Sequence, residues 1–208
     1  MKQQHMLKMP TSDFTSVELS GADVRLYPDL LIDRSDEWFD VLREQIAWQQ
    51  HQLTLFGKTL NAPRLSAWYG DPDAHYSYSA IKLLPQAWIT PLRDIKQIVE
   101  VISGAKFNSV LANLYRSGSD SMGWHADDEA ELGAEPVIAS VSLGAQRRMR
   151  WRHKQREFAS QSTDLPNGSL LLMRGHTQHE WQHCLPKVAS ASAERINLTY
   201  RLIHSTKL

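Results

Sequence analysis

The sequence predicts an α+β protein that is mainly β, with helices first and a β sandwich or barrel after them. Two observations predict this class. Apolar residues recur at helical spacing over 35–50 and 90–104, whereas residues 107–203 contain six short runs in which apolar and polar side chains alternate. Turn residues separate the runs. About six strands in roughly 100 residues are typical of a sandwich or barrel.

The chain has 208 residues, which suits one domain with its own core. Residues 1–20 show no periodicity and are expected to form a flexible arm before a single domain over 21–208. No apolar run is long enough to span a membrane, and the polar N-terminus lacks a signal-peptide core, so no membrane contact is expected. Cys184 is the only cysteine, which excludes an internal disulfide and favours the cytoplasm.

The first helix is expected over 35–50, because Trp38, Leu42 and Ile46 recur every four residues on one face. A hairpin is expected over 53–64.

The second helix is expected to begin with Thr90 as N-cap and Pro91 in the first turn, and to end at Gly104. Its apolar stripe consists of Leu92, Ile95, Val99 and Ile102. The six alternating runs that follow are FNSVLANLYR, PVIASVSLG, RRMRWRHK, GSLLLMRG, HEWQHCLP and RINLTYRLI.

Residues 123–132, GWHADDEAEL, place one histidine and four carboxylates in ten positions. Like charges this close need something positive among them, which is either scattered lysines and water on a surface loop or a metal ion. His125 and Asp127 are two apart, so on a strand both can reach one ion. A third ligand must come from elsewhere, with His183 as the best candidate and His176 and His179 as rivals. Two histidines and a carboxylate suit non-haem Fe(II) oxygen chemistry, and they also suit a catalytic zinc hydrolase.

The run RINLTYR carries its polar side chains on one face, Arg195, Asn197, Thr199 and Arg201. If that face is buried, two guanidiniums need anionic partners, and a dicarboxylate cosubstrate would supply both. The alternative is a solvated face opposite an apolar one. Asn113 and Tyr115 also share a face, and they could donate to the same carboxylate or belong to the core.

Residues 147–156, RRMRWRHKQR, hold six Lys or Arg and no acid, in a chain of zero net charge. The expected exposed charges are Arg148, Arg150, Arg152, Lys154 and Arg156. Phosphates would relieve their repulsion, which predicts a nucleic-acid backbone contact; the alternative is a solvated face.

The order N-x-Y, H-x-D, distal His and R-x-N-x-T-x-R resembles the AlkB family of Fe(II)- and 2-oxoglutarate-dependent dioxygenases, over roughly residues 50–203. The family has a double-stranded β-helix (jelly-roll) core and removes methyl groups oxidatively from nucleic-acid bases. The resemblance implies a nucleotide-recognition lid over about 50–90, a catalytic β-core over about 107–204, and O2 as cosubstrate. It implies iron on His125, Asp127 and His183, and 2-oxoglutarate on Asn113, Tyr115, Arg195, Asn197 and Arg201. We expect Arg195 at the distal carboxylate and Arg201 nearer the metal.

The resemblance is closest to the duplex-DNA-preferring branch and implies a substrate pocket for a flipped base. Its expected members are Phe56 as wedge, Arg64, Tyr76, Tyr78 and Ser79 from the lid, and Asp128 and Glu129, whose carboxylates favour a cationic methylated base. The expected function is repair of 1-methyladenine and 3-methylcytosine in DNA, releasing formaldehyde, succinate and CO2.

The alternatives are an RNA demethylase or protein hydroxylase with the same iron chemistry, a zinc hydrolase, and a non-catalytic nucleic-acid binder. The expected partner is alkylated DNA, duplex or single-stranded, with RNA as a second candidate. A monomer is expected, cytoplasmic in a bacterium or nuclear in a eukaryote.

Overall fold

A computed structural model describes residues 13–55, 58–74, 76–78, 81–189 and 193–204 of the chain. The helices are α1 (Ser35–Gln45), α2 (Thr90–Ser103) and the single-turn α3 (Thr177–Glu180). The strands are β1 (Thr15–Ser16), β2 (Asp23–Tyr27), β3 (Gln52–Leu55), β4 (Lys58–Asn61), β5 (Leu65–Gly70), β6 (Tyr76–Tyr78), β7 (Ile81–Leu83), β8 (Ser109–Tyr115), β9 (Met122–His125), β10 (Ile138–Gly144), β11 (Arg147–His153), β12 (Gln161–Leu165), β13 (Ser169–Arg174), β14 (Trp181–Leu185) and β15 (Arg195–Arg201).

The strands form two large sheets and two hairpins. The major sheet has the order β1-β2-β13-β10-β15-β8-β5, and the minor sheet has the order β12-β11-β14-β9. From β8 to β15 the chain alternates between the two sheets, except that β11 and β12 are neighbours in the minor one. This eight-stranded antiparallel arrangement is a jelly roll, the predicted fold.

The helices cover the outer face of the major sheet and decide which side of each strand faces inward. Along β15, Ile196, Leu198 and Tyr200 pack against the helices, and the Tyr200 hydroxyl donates to the carbonyl of Leu92 in α2 (2.9 Å). Successive strand residues point to opposite faces, so the polar side chains of β15 face the minor sheet. All seven residues of this strand are buried, which excludes a solvated polar face.

The helix boundaries partly follow the sequence. α1 ends at Gln45, five residues early, because Ile46 takes an extended backbone (ψ 130°) and Gln49 pairs with Ser66 next to β5. The N-cap of α2 is Ile89 rather than Thr90, whereas Gly104 ends that helix in the left-handed conformation as predicted. None of the helices in the described ranges is long and apolar enough to cross a membrane.

The expectation of a loose arm through residue 20 is wrong from residue 13 onward. β1 pairs with β2 at the edge of the major sheet. Leu19 is buried, and the indole of Trp181 donates to the carbonyl of Ser20 (2.9 Å). Residues 1–12 lie outside the described residues. The predicted hairpin is present as the antiparallel pair β3 and β4, and residues 56–57 between them are outside the described part.

Gly144, at the end of β10, gives a stability prediction. Its φ is +83°, and a Cβ there would stand 2.6 Å from the carbonyl oxygen of Glu194 and 2.7 Å from the ring of Phe39. Gly104 has a similar φ of +67° but open space around its Cβ position. We expect Gly104→Ala to lower the free energy of unfolding by about 1–2 kcal/mol through backbone strain alone. Gly144→Ala should cost about 1–3 kcal/mol more from crowding.

Urea unfolding of both variants measures the difference. The carbonyl of Glu194 is fixed by the N–H of Ala145 (2.9 Å), so it cannot move aside. Equal losses for the two variants would contradict the crowding at Gly144.

Candidate active site

One cavity between the two sheets collects the predicted metal and cosubstrate residues. All eight of them line it: Asn113, Tyr115, His125, Asp127, His183, Arg195, Asn197 and Arg201. β8 and β15 supply five from the major sheet, and β9 and β14 supply the two histidines from the minor sheet. The eight residues chosen from the sequence therefore meet in one cavity, although they come from four strands and the segment after β9.

His125 and His183 face each other across paired strands. They are direct partners in the β9–β14 register, and their ring centroids lie 4.3 Å apart. Nδ1 of His125 is 2.9 Å from the carbonyl oxygen of Gly123, and since a carbonyl only accepts, Nδ1 carries the hydrogen. With the Nδ1 hydrogen on the Gly123 carbonyl, Nε2 is the ring nitrogen that can offer its lone pair to a metal.

His183 is 4% exposed and packs beside the ring of Trp151. Burial, together with nearby His125, lowers the pKa of His183 to about 3. The imidazole is therefore neutral near pH 7, which is the form that binds metals. The rivals His176 and His179 lie on the exposed surface outside this cavity, so they are not brought to it.

Asp127 is buried at 3% exposure and held from two sides. Its backbone N–H donates to Oε1 of Gln178 (2.8 Å), and the Arg201 guanidinium donates to its carboxylate. Burial alone would raise the pKa of Asp127, but Arg201 and the two histidines outweigh burial and hold that pKa below its usual value. The carboxylate is therefore ionised at neutral pH, as a metal ligand must be.

The donor set fits Fe(II) in its chemistry: two imidazoles, of which His183 is neutral, and one ionised carboxylate on one cavity wall. Within the described residues, no three His, Cys, Asp or Glu side chains already have the spacing of a formed metal centre. Arg201 contacts Oδ1 of Asp127, so Oδ2 of the same carboxylate is the atom that could bind an ion while this contact is kept.

Arg195 is a buried cation whose hydrogen-bond partner is uncharged. It is 2% exposed, it donates to the hydroxyl of Ser142 (2.9 Å), and its guanidinium lies 5.4 Å from the ring centre of Tyr115. Nε has no partner. Burial lowers the pKa of Arg195 to about 10, so the group is still charged at pH 7. Such a charge favours an anionic ligand in the cavity.

The amides of the cavity are oriented by neighbouring polar groups. Asn197 donates to the hydroxyl of Ser140 (2.8 Å) and accepts from Thr199 (3.1 Å). Asn113 accepts from Nε of Arg64 (2.9 Å), so Arg64, predicted as a substrate contact from the lid, is buried against Asn113 and is not among the cavity-lining residues.

Sequence reasoning missed four residues that shape the site: Ser140, Ser142, Arg147 and Gln178. Arg147 begins β11, is 3% exposed, and donates to the carbonyls of Ser117, Asp120 and Pro186. The only signal for it was the alternation of β11, which places Arg147 on the same face as the apolar Met149 and Trp151. Nothing local in the sequence marks the other three.

The basic strip, residues 147–156, has fewer unpaired charges than its sequence indicated. Arg148 pairs with Asp164 (2.6 Å) and Lys154 with Asp128 (2.8 Å), so acids from elsewhere neutralise two of its charges. The predicted outward alternation holds for Arg148, Arg150 and Arg152, and Arg156 lies beyond the strand.

The lid candidates are only partly described. Asp128 is exposed and engaged by Lys154, and Glu129 is partly buried. Tyr76 and Tyr78 belong to β6, which pairs with β7, but the positions of their side chains lie outside the described residues, as do Phe56 and Ser79.

Comparisons with known proteins agree with this geometry. Residues 23–201 match the 2OG-Fe(II) oxygenase superfamily. The human alpha-ketoglutarate-dependent dioxygenase alkB homolog 3 is 38% identical over 191 residues, covering 87% of this chain and 66% of the relative. The human DNA oxidative demethylase ALKBH2 is 39% identical over 183 residues, which cover 83% of this chain and 70% of the relative.

ALKBH2 of Arabidopsis thaliana is 33% identical over 216 residues, covering 90% of this chain and 69% of the relative. The chain spans 63–66% of the length of several alkB homolog 3 relatives, just under two thirds. The solved structure of OsALKBH1 has a TM-score of 0.57 at 13% identity, covering 91% of this chain and all of that one, which supports the fold. This chain belongs to the AlkB family of 2OG-Fe(II) oxygenases.

Proposed function

We propose that the protein demethylates N-alkylated bases in DNA oxidatively, using Fe(II), 2-oxoglutarate and O2. The observation that carries the proposal is the single cavity in which two imidazoles, one carboxylate and the partly unsatisfied guanidinium of Arg195 meet. The names of relatives with up to 39% identity support the choice of substrate. The rival zinc hydrolase has no use for a buried arginine beside Tyr115.

In this proposal His125, Asp127 and His183 hold the iron. Arg195 binds the distal carboxylate of 2-oxoglutarate, helped by Tyr115, and Arg201 stays beside the metal-bound end. Asn113 and Asn197 complete the cosubstrate wall. Bound iron supplies the activation of O2 that couples 2-oxoglutarate decarboxylation to hydroxylation of the N-methyl carbon, after which formaldehyde leaves.

The substrate step depends on charge at the cavity mouth. Methylation of adenine at N1 or cytosine at N3 makes the base cationic at neutral pH, whereas the unmodified base is neutral. Asp128 and Glu129 directly follow the metal candidate Asp127, and their carboxylates would favour the cation electrostatically. Lys154 donates to the Asp128 carboxylate (2.8 Å), so a cationic base that binds Asp128 must displace the Lys154 ammonium.

The test is succinate release by the iron-loaded protein with matched oligonucleotides. Single-stranded DNA, duplex DNA and RNA, each with and without one 1-methyladenine or 3-methylcytosine, separate the substrate classes. We expect methylated DNA to stimulate succinate release, and formaldehyde to be released in the same amount as succinate. Stimulation by methylated RNA alone would replace DNA by RNA as the substrate. No stimulation by any methylated oligonucleotide would contradict the proposal.

A further inference from the structure

The outer face of the minor sheet presents side chains that the cavity does not use. Trp151, His183 and His125 face between the sheets. Their neighbours in sequence, Arg152 on β11, Gln182 on β14 and Trp124 on β9, therefore point away from the cavity.

These three outward residues form a continuous ribbon across three strands. The Arg152 guanidinium lies 4.4 Å from the ring centre of Trp124, and its Nε donates to Oε1 of Gln182 (2.9 Å). All three are partly exposed. The hydrogen bond to Gln182 helps to hold the guanidinium over the indole, so the ribbon offers an ordered cationic surface beside an aromatic ring.

The positive charges of this face that lack an ion-pair partner among the described residues lie at the ribbon. Arg148 and Lys154 are neutralised by Asp164 and Asp128. By contrast, Arg152 bonds to a neutral amide, and the exposed Arg150 beside it forms no ion pair with the described residues. Two guanidiniums next to a tryptophan thus remain available to an anionic, aromatic ligand.

We infer that this ribbon, defined by Trp124, Arg152 and Gln182 with Arg150 at its side, binds an unpaired nucleotide of the substrate strand. A base would stack on the Arg152 guanidinium, which itself lies over the Trp124 indole, and Arg150 would contact its phosphate. Trp124 immediately precedes His125, so the ribbon and the two metal-candidate histidines lie on opposite faces of the same sheet. The inference deepens the proposed function by favouring single-stranded nucleic acid, since paired bases in a duplex do not offer their faces for stacking.

The test is fluorescence anisotropy of the full chain with a short labelled oligonucleotide that carries no methyl group. Trp124→Ala should weaken binding of the single strand on the order of tenfold and binding of the same sequence as a duplex far less. Trp124→Phe should keep most of the affinity. Arg150→Ala should reduce the slope of log affinity against log salt concentration by about one, as expected when one phosphate contact is lost.

Arg93→Ala, on the exposed side of α2, is the charge-matched control and should leave both affinities unchanged. Thermal unfolding of Trp124→Phe and Arg150→Ala checks that the variants fold. Equal loss on single strand and duplex, or no loss for Trp124→Ala, would overturn the inference. An RNA single strand of the same sequence shows whether the sugar matters. Because binding is measured without turnover, this test decides whether the ribbon binds nucleic acid even if the demethylation assay fails.

Discussion

Replacing His183 with alanine is expected to abolish turnover and iron binding together. The variant removes one of two imidazoles whose ring centroids are 4.3 Å apart and leaves Asp127 and His125 as an incomplete set. Metal catalysis commonly supplies several kcal/mol of transition-state stabilisation, so kcat/KM should fall on the order of 10³-fold or more. Succinate release measures the loss. Titration of the metal-free protein with Fe(II) under anaerobic conditions, with 2-oxoglutarate present, measures the binding.

His179→Ala is the matched control for this variant. His179 lies four residues before His183 and was a rival ligand by sequence, but its ring is exposed and contacts the carbonyl of Ala134. We expect its removal to leave turnover within about twofold, as for most exposed substitutions. Full activity in His183→Ala, or loss of iron binding in His179→Ala, would refute the assignment of the iron ligands.

The inward face of β15 shows how far sequence reasoning reached and what completed it. Alternation placed Arg195, Asn197, Thr199 and Arg201 together, but alternation alone cannot say whether a polar face meets solvent or a cavity. The apolar stripes of α1 and α2 settle this, because they cover the opposite face at Ile196, Leu198 and Tyr200. The helices and the strand were each predictable, and their packing determined the site.

The unpredicted features depend on contacts between distant residues. The basic strip lacks acids in sequence, yet Asp164 and Asp128 reach it from 16 and 26 residues away. β9 is not among the six predicted runs; it has only four residues, and its pairing with β14 contains a register shift. Gln178 positions Asp127 from 51 residues away, and no local pattern marks such a partner.

The two buried arginines of β15 should respond in opposite directions when their charge is removed. Arg201 has a carboxylate partner in Asp127, whereas Arg195 bonds to the hydroxyl of Ser142. Arg201→Gln leaves a buried carboxylate without its cation, and breaking such a pair costs about 3–5 kcal/mol of unfolding free energy. Arg195→Met instead removes a buried charge that pays its desolvation cost in the free protein. We expect it to stabilise the ligand-free protein by about 1–4 kcal/mol.

We expect the same Arg195→Met variant that is more stable without ligand to use 2-oxoglutarate less well. If this guanidinium binds the distal carboxylate of 2-oxoglutarate, its loss should raise the KM for 2-oxoglutarate on the order of 10²-fold, since truncating one partner of a buried charge pair costs about 2–5 kcal/mol. Excess 2-oxoglutarate with Fe(II) should raise the melting temperature of the wild type but not of Arg195→Met. Arg195→Lys keeps the charge without the planar fork and should fall between them. A destabilised ligand-free Arg195→Met, or one with an unchanged KM, would show that the charge of Arg195 serves the fold and not the cosubstrate.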